Sequence, residues 1–404
     1  MNHISSQSFQ PKPAISLGHE FLLRQVYEQV NLDPLIAELA QRAGGAAPDL
    51  GAMFDLSTLL LSKGGPWAAA GLALQREAVA LQRSYQVTHG NGTGPTVLAL
   101  MTCGDFMANT PIDFLLAGSD AVLILHFVDE TTSHLNDLPP HDDVAFMAVG
   151  EGPHTAGVLA RLAELLCDYP APVLNKTPEL IAQLSRDGVS RILADIPGIL
   201  CPATLRVGRD FLQAAAQSGA TFPFYPALVR PLGSHAGHGL SKVDNAQGLA
   251  NFLAQTAQET FYLTPFVEYR GADGLYAKAR VVLIKGQPFA SHLACSTHWM
   301  VHYLNAEMET NPARRAQEAE WMATFDAGFA RRHARALGDL AQRLGLDYFG
   351  LDCAELPDGR LLVFELDVAM IVHDLDSVTL FAYKKPGMQK LFAAFIAALS
   401  QVAP

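Results

Sequence analysis

Two short apolar runs near the C-terminus, YFGLDCAEL (348–356) and RLLVFELDV (360–368), are joined by the turn Pro357-Asp358-Gly359. β-rich runs separated by such a turn predict two antiparallel strands side by side. The first carries Asp352 and the second Glu365 and Asp367. Residues two apart on a strand share a face, so Glu365 and Asp367 project together. Carboxylates converging inside apolar strands repel one another unless a cation neutralises them, and a few hard oxygen ligands suit Mg²⁺ bound to nucleotide phosphates. The plain alternative is a solvated edge strand, against which the flanking LLVF argues.

Upstream, the chain changes character twice. Residues from about 17 to 88 are rich in Ala, Leu, Gln and Glu with apolar residues at helical spacing, and Gly44-Gly45 and Gly64-Gly65 punctuate them into about three helices. This N-terminal helical unit (1–90) reads as structural or oligomerising. HGNGTG (89–94) is a joint, after which TVLAL, AVLILHFV and DVAFMAVG read as buried strands and GVLARLAELLC as a helix. Strands alternating with helices predict a small doubly wound α/β domain over 91–175. The turn GDFMANTP lacks the dinucleotide glycine spacing, so Asp105, Asn109 and Thr110 either face a second substrate or cap the following helix. From 176 to 404 the pattern is mixed α+β, with a long polar helical insertion around 311–345 and a final amphipathic helix.

At 404 residues the chain has room for two or three cores, and a formal charge of −12 argues against nucleic acid as a bulk electrostatic partner. No apolar stretch approaches the roughly 20 residues of a membrane span, and no secretory signal is read at the N-terminus. Cys103, Cys167, Cys201, Cys295 and Cys353 show no metal-ligand or redox spacing. The expectation is a soluble, cytoplasmic protein without a membrane partner.

LVRPLGSHAGHGL (228–240) runs from a strand into a loop with Gly233, Gly237 and Gly239. Small residues let backbone N–H groups close on a phosphate chain, and Arg230 supplies fixed positive charge, although a glycine-rich hairpin would look the same.

Taken in order, SRDGVSRILADIPGILCPAT, VRPLGSHAGHG, TPFVEY, KARVVLIKG, LDCAE and FELD resemble the ATP-grasp superfamily over about residues 170–404. The likeness is to its amide-forming ligases: glutathione synthetases, D-alanine–D-alanine ligases and the ribosomal-protein glutamate ligases. The resemblance implies an ATP-grasp fold preceded by the smaller α/β domain and the helical unit. It also implies ATP and two Mg²⁺, with a small-molecule or peptide carboxylate joined to an amine through an acyl phosphate.

By position, it implies that Arg230 touches the α- and β-phosphates while Ser234, Gly237 and Gly239 lie in the covering loop. Thr264, Pro265, Phe266 and Val267 meet the adenine, with Glu268 on the ribose. Arg280 and Lys278 stabilise the transferring phosphoryl group. Asp352, Glu365 and Asp367 bind magnesium.

Three positions depart from the family. Gly188 stands where a lysine is usual, leaving that contact absent or supplied by Arg186 or Arg191; Arg230 replaces lysine, and Asp367 replaces asparagine. The loop SHLACSTHWMVHY places His292, His298 and His302 beside Trp299 and Tyr303, where the family meets its acceptor; His298 and His302 are the candidates for substrate contact, against simple packing. His373 is equally open, and Cys103 lacks an assignable histidine partner as a nucleophile. The rivals to a ligase are a kinase of the same fold and a non-catalytic nucleotide-binding scaffold with the helical unit docking a partner.

Overall fold

The computed structural model describes residues 12–136, 138–139, 144–218, 225–234 and 237–401. Its strands run in chain order as β1 (Ala14–Ile15), β2 (Ser84–Thr88), β3 (Thr96–Met101), β4 (Val122–Phe127), β5 (Val144–Met147) and β6 (Val173–Leu174). There follow β7 (Ile199–Leu200), β8 (Leu205–Gly208), β9 (Ala227–Pro231), β10 (Ser241–Val243) and β11 (Thr260–Pro265). The last four are β12 (Tyr276–Ile284), β13 (Gln287–Ser296), β14 (Tyr348–Glu355) and β15 (Leu361–Asp367). They form three sheets, ordered β1-β2-β4-β3-β5-β6, β10-β9-β11-β8 and β13-β12-β14-β15-β7, in a mixed α/β and α+β architecture.

The first sheet is parallel through β4-β3-β5-β6, as strand–helix alternation predicts, but β2 runs antiparallel to β4. The N-terminal segment is therefore not a separate helical unit, because its two ends, β1 and β2, are strands of this sheet. Four helices lie between them, His19–Tyr27, Asp33–Ala43, Leu50–Lys63 and Gly65–Leu81, one more than the glycine pairs mark. The extra break falls at residues 28–32, where Gln29 takes a positive φ without a glycine to signal it.

HGNGTG carries the chain across the start of β4. Gly90 (φ 51°) has no room for a side chain, since a Cβ there would lie 2.1 Å from Asp120 Oδ1. That close approach accounts for the glycine where sequence alone shows only a joint.

Alternation along the strands splits the first sheet's side chains between two cores. Leu98, Leu100, Ala145 and Met147 face the helix Ala156–Cys167, whereas Val97, Ala99, Leu123 and Phe146 face Phe54 and the C-terminal helix Lys385–Ser400. Through Leu391, Phe392 and Phe395 that last helix also packs on Val282, Ile284 and Tyr348 of the third sheet, so one core fixes the first sheet against the third. The second sheet has its own core around Leu212, Val229, Leu249 and Phe261. Two further hydrogen bonds lock the first and third sheets: Asn175 Nδ2 donates to Tyr348 O (2.9 Å), and Thr110 Oγ1 to Val368 O (2.9 Å).

The polar insertion runs through the helix Pro312–Ala323, a wider helical turn at Asp326–Ala330 and the helix Ala334–Leu344. Its Glu318 is fully buried and accepts from Leu293 N (3.0 Å), Tyr303 Oη (2.8 Å) and Tyr383 Oη (2.6 Å). A carboxylate held by three donors anchors this segment. Among the described residues, no helix is long and apolar enough to cross a membrane.

Candidate functional site

The predicted Pro-Asp-Gly hairpin is present, and its register puts Arg280 of β12, Asp352 of β14 and Glu365 of β15 in line across three adjacent strands. Asp352 is buried. Arg280 donates to it through Nε (2.8 Å to Oδ1) and Nη2 (3.1 Å to Oδ2), and Lys278 Nζ lies 2.9 Å from Oδ2. Burial opposes ionisation, but these cations outweigh it and hold the Asp352 carboxyl far below the usual range.

Glu365 accepts from Arg186 Nη2 at 2.7 Å, and Arg186, Arg230 and Lys278 keep it ionised in spite of burial. Asp367 behaves otherwise. Burial, followed by repulsion from Glu365 and Glu151, drives it up to about 7, while its Oδ1 accepts from Ala369 N (2.9 Å).

Two carboxylates are thus closed into ion pairs, and no three His, Cys, Asp or Glu groups stand together as a metal cage among the described residues. Sequence spacing brings Glu365 and Asp367 to one face. It does not show that Asp352, on the neighbouring strand, is already held by Lys278 and Arg280.

Arg230 is next to last in β9 and is buried. Its Nε donates to Ser234 Oγ (3.1 Å) and its Nη2 to Ser234 O, so Ser234 fixes the guanidinium at the mouth of the glycine loop. No carboxylate pairs with it among the described residues. Burial and the neighbouring Arg186 push its pKa down to about 10, against which Glu365 acts only at a distance.

Gly188 explains the missing lysine. A Cβ at that position would sit 1.9 Å from Gln183 O, so no side chain fits. Of the two nearby arginines, Arg186 turns to Glu365, whereas Arg191 points outward to Asp187 with 71 % of its side chain exposed.

Gly237 (φ 77°) and Gly239 (φ 68°) turn the loop back over β9, and a Cβ on Gly237 would meet Met300 Sδ at 3.2 Å. The glycine loop therefore faces the loop after β13. There His298 is exposed, its Nδ1 accepting from Met300 N (3.2 Å), and half-buried His302 is lowered by burial, then by Lys278 and Arg280. His292 is on β13 opposite Arg280 and packs on Tyr303. Tyr303 is spent on Glu318.

At the predicted adenine hinge, Thr264 bonds Thr204 through the two hydroxyls (3.0 Å), and Phe266 N donates to Pro226 O (2.9 Å). Lys242 Nζ lies 4.1 Å from the centre of the Phe266 ring, a contact that no sequence pattern signals. Val267 packs in a small core with Tyr269 and Tyr276, and exposed Glu268 accepts from Arg270 N (3.0 Å) and Tyr276 Oη (3.1 Å). Of the polar residues after β3, Asn109 bonds the Thr102 backbone and Thr110 bonds Val368 O, neither side chain capping the next helix, while Asp105 is exposed.

No family model and no curated relative matches the sequence. The chain is similar to the solved structure of a RimK domain ATP-grasp protein from Sphaerobacter thermophilus, with 17% identity over 75% of this chain and 98% of that one, TM-score 0.40. It is similar to the VanG D-Ala:D-Ser ligase of Enterococcus faecalis, with 11% identity over 76% and 100%, TM-score 0.46. A third likeness is to the ATP-grasp ligase PsnB complexed with a precursor peptide and AMPPNP, with 14% identity over 76% and 97%, TM-score 0.40. At these TM-scores the likenesses carry no argument about the chemistry, which rests on the side chains.

Proposed function

We propose that the chain is an ATP-grasp ligase that joins a carboxylate to an amine or similar nucleophile through an acyl phosphate, releasing ADP and phosphate. The observation that supports it most is Arg230, a buried guanidinium without a carboxylate partner among the described residues and with Arg186 beside it. Arg186 is already paired with Glu365, so Arg230 is the cation left without a counter-charge at low dielectric, and a nucleotide polyphosphate at the glycine loop supplies one.

In this reading Arg186, Arg230, Ser234, Gly237 and Gly239 hold the phosphates. Thr264, Phe266 and Val267 border the adenine; because Phe266 N–H is spent on Pro226 O, the backbone contact falls to Val267 and Glu268. Glu268, already fixed by Tyr276, accepts from the ribose hydroxyls. Lys278 and Arg280, pinned by Asp352, present their remaining N–H groups to the phosphoryl oxygens as charge develops there. His302, kept neutral near pH 7, takes the proton that the attacking amine must lose, with His298 at the outer rim.

Glu365 and Asp367 would hold a Mg²⁺, whereas both oxygens of Asp352 are already taken by Lys278 and Arg280. The metal supplies neutralisation of phosphate charge.

The test is ADP release from ATP against pooled carboxylic acids, with and without hydroxylamine. A trapped hydroxamate is the expected result. ADP without hydroxamate would indicate a kinase, and no turnover a non-catalytic scaffold.

A further inference from the structure

A cavity of about 200 Å³ lies beside this site, and none of the residues assigned above to phosphate, adenine or metal lines it. It sits at the C-terminal ends of β3 and β4, marked by Met101 and Phe127, where ligands collect on parallel sheets. The helix His19–Tyr27 forms one wall and the segment after β15, with Ile371, His373 and Leu375, another. Ile371 also belongs to the reacting centre, because its carbonyl accepts from Arg280 Nη1 at 2.8 Å.

The lining is mainly apolar, through Leu23, Val26, Leu61, Phe106, Phe114 and Leu375. Among the described residues no lysine or arginine lines it, and its one acidic side chain is Asp105. The remaining polar lining includes Ser62, Gln75, Asn109 and Thr110 and two imidazoles. His373 Nδ1 accepts from Leu375 N (3.2 Å), so its proton is on Nε2 and is donated to Tyr27 Oη at 3.1 Å. Tyr27 then keeps its own O–H to offer. His19 stacks against Phe54 and meets Phe106 edge-on, and its ring nitrogens have no hydrogen-bond partner among the described residues. Burial lowers both imidazoles, His373 to about 4, so both are neutral near pH 7.

Size and charge together restrict the occupant. An apolar cavity of about 150 Å³ is enough for benzene, so this one takes a phenyl ring with a little more. A carboxylate side chain would lose its water and gain no counter-charge.

We infer that the cavity holds an uncharged, compact apolar group, of phenyl or branched aliphatic size, carried by the small-molecule substrate whose reacting end lies at Arg280. This substrate assignment rests on the ligase reading, while the cavity's preference for such a group does not. Acidic amino acids are excluded as the group in the cavity, and Tyr27, His19 and His373 give it a polar edge to recognise.

Calorimetric titration of the full chain with indole, L-phenylalanine and L-glutamate tests the inference, together with Val26→Trp, which fills the cavity from a half-buried wall. Indole and L-phenylalanine are expected to bind saturably and L-glutamate not to. Val26→Trp is expected to weaken indole at least tenfold and to leave affinity for the non-hydrolysable analogue AMPPNP within twofold. If that variant does not fold, Leu375→Phe takes its place. Absent indole and phenylalanine binding, unchanged indole affinity in a folded variant, or glutamate bound as tightly as phenylalanine would each overturn the inference. Indole binding without ADP release from any acid would remove the ligase reading but keep the cavity's preference. ADP release that Val26→Trp leaves unaltered would remove the substrate assignment and keep the ligase.

Discussion

Arg280 grips both oxygens of Asp352 from the neighbouring strand, at 2.8 and 3.1 Å, while its other terminal nitrogen holds Ile371 O at 2.8 Å. One guanidinium thus ties β12, β14 and the segment after β15 together. Asp352→Asn keeps the shape and removes the charge, leaving Lys278 and Arg280 buried without compensation. Loss of one partner of such a pair costs about 3–5 kcal/mol. Urea unfolding of the variant should show a loss of that order; a loss under about 1 kcal/mol would mean that the pair stores little stability.

Arg230 makes the opposite prediction. Its neighbours raise the cost of its charge, since Arg186 is beside it and no carboxylate pairs with it among the described residues. Arg230→Ala is expected to hold the thermal midpoint within a few degrees, the relieved repulsion offsetting lost packing, while ATP affinity falls by about tenfold or more. Equal ATP affinity by calorimetry in both proteins would take Arg230 out of the nucleotide site.

These two arginines mark how far sequence reasoning reaches. The hairpin with Asp352, Glu365 and Asp367 is legible because alternation and the Pro-Asp-Gly turn are local signals. β2 is not, being five residues at the end of a helix-rich tract whose partner strand lies further along the chain. Pairings such as Arg186 with Glu365, 179 residues apart, leave no periodic trace, nor does the wall of Leu23 and Val26 against Ile371. Gly188 stands out in the sequence as a departure, but only the 1.9 Å approach of Gln183 O gives its reason.

Glu365 and Asp367 divide the proposed metal site. Glu365→Gln removes a charge that both Arg186 and a metal would use, so ATP turnover should vanish in a folded protein. Wild-type turnover in that variant would sink the metal assignment. Asp367→Asn keeps an oxygen ligand of the same size and removes a carboxylate that burial and Glu365 already drive towards neutrality. The expected variant is active and needs more Mg²⁺ for half-maximal rate, with ATP affinity unchanged or better at saturating metal. A magnesium titration with an unaltered requirement would refute coordination by Asp367.

His373 makes the fold sensitive to acid. Burial, with Lys384 adding to it, lowers the imidazole from 6.5 to about 4, against the opposing pull of Asp376. The unfolded chain takes up the proton near 6.5 and the folded chain only near 4, so this contribution to stability is full above 6.5 and is lost as pH falls towards 4. A displacement of that size corresponds to at most about 3 kcal/mol. His373→Phe keeps an aromatic ring against Phe114, gives up the Tyr27 hydrogen bond and removes the titration, so it is less stable than the parent above pH 6.5 but escapes the parent's loss in acid. Urea unfolding of both proteins from about pH 4 to 7 should therefore show a gap that narrows as pH falls. A gap that stays constant would mean that His373 does not carry the acid sensitivity.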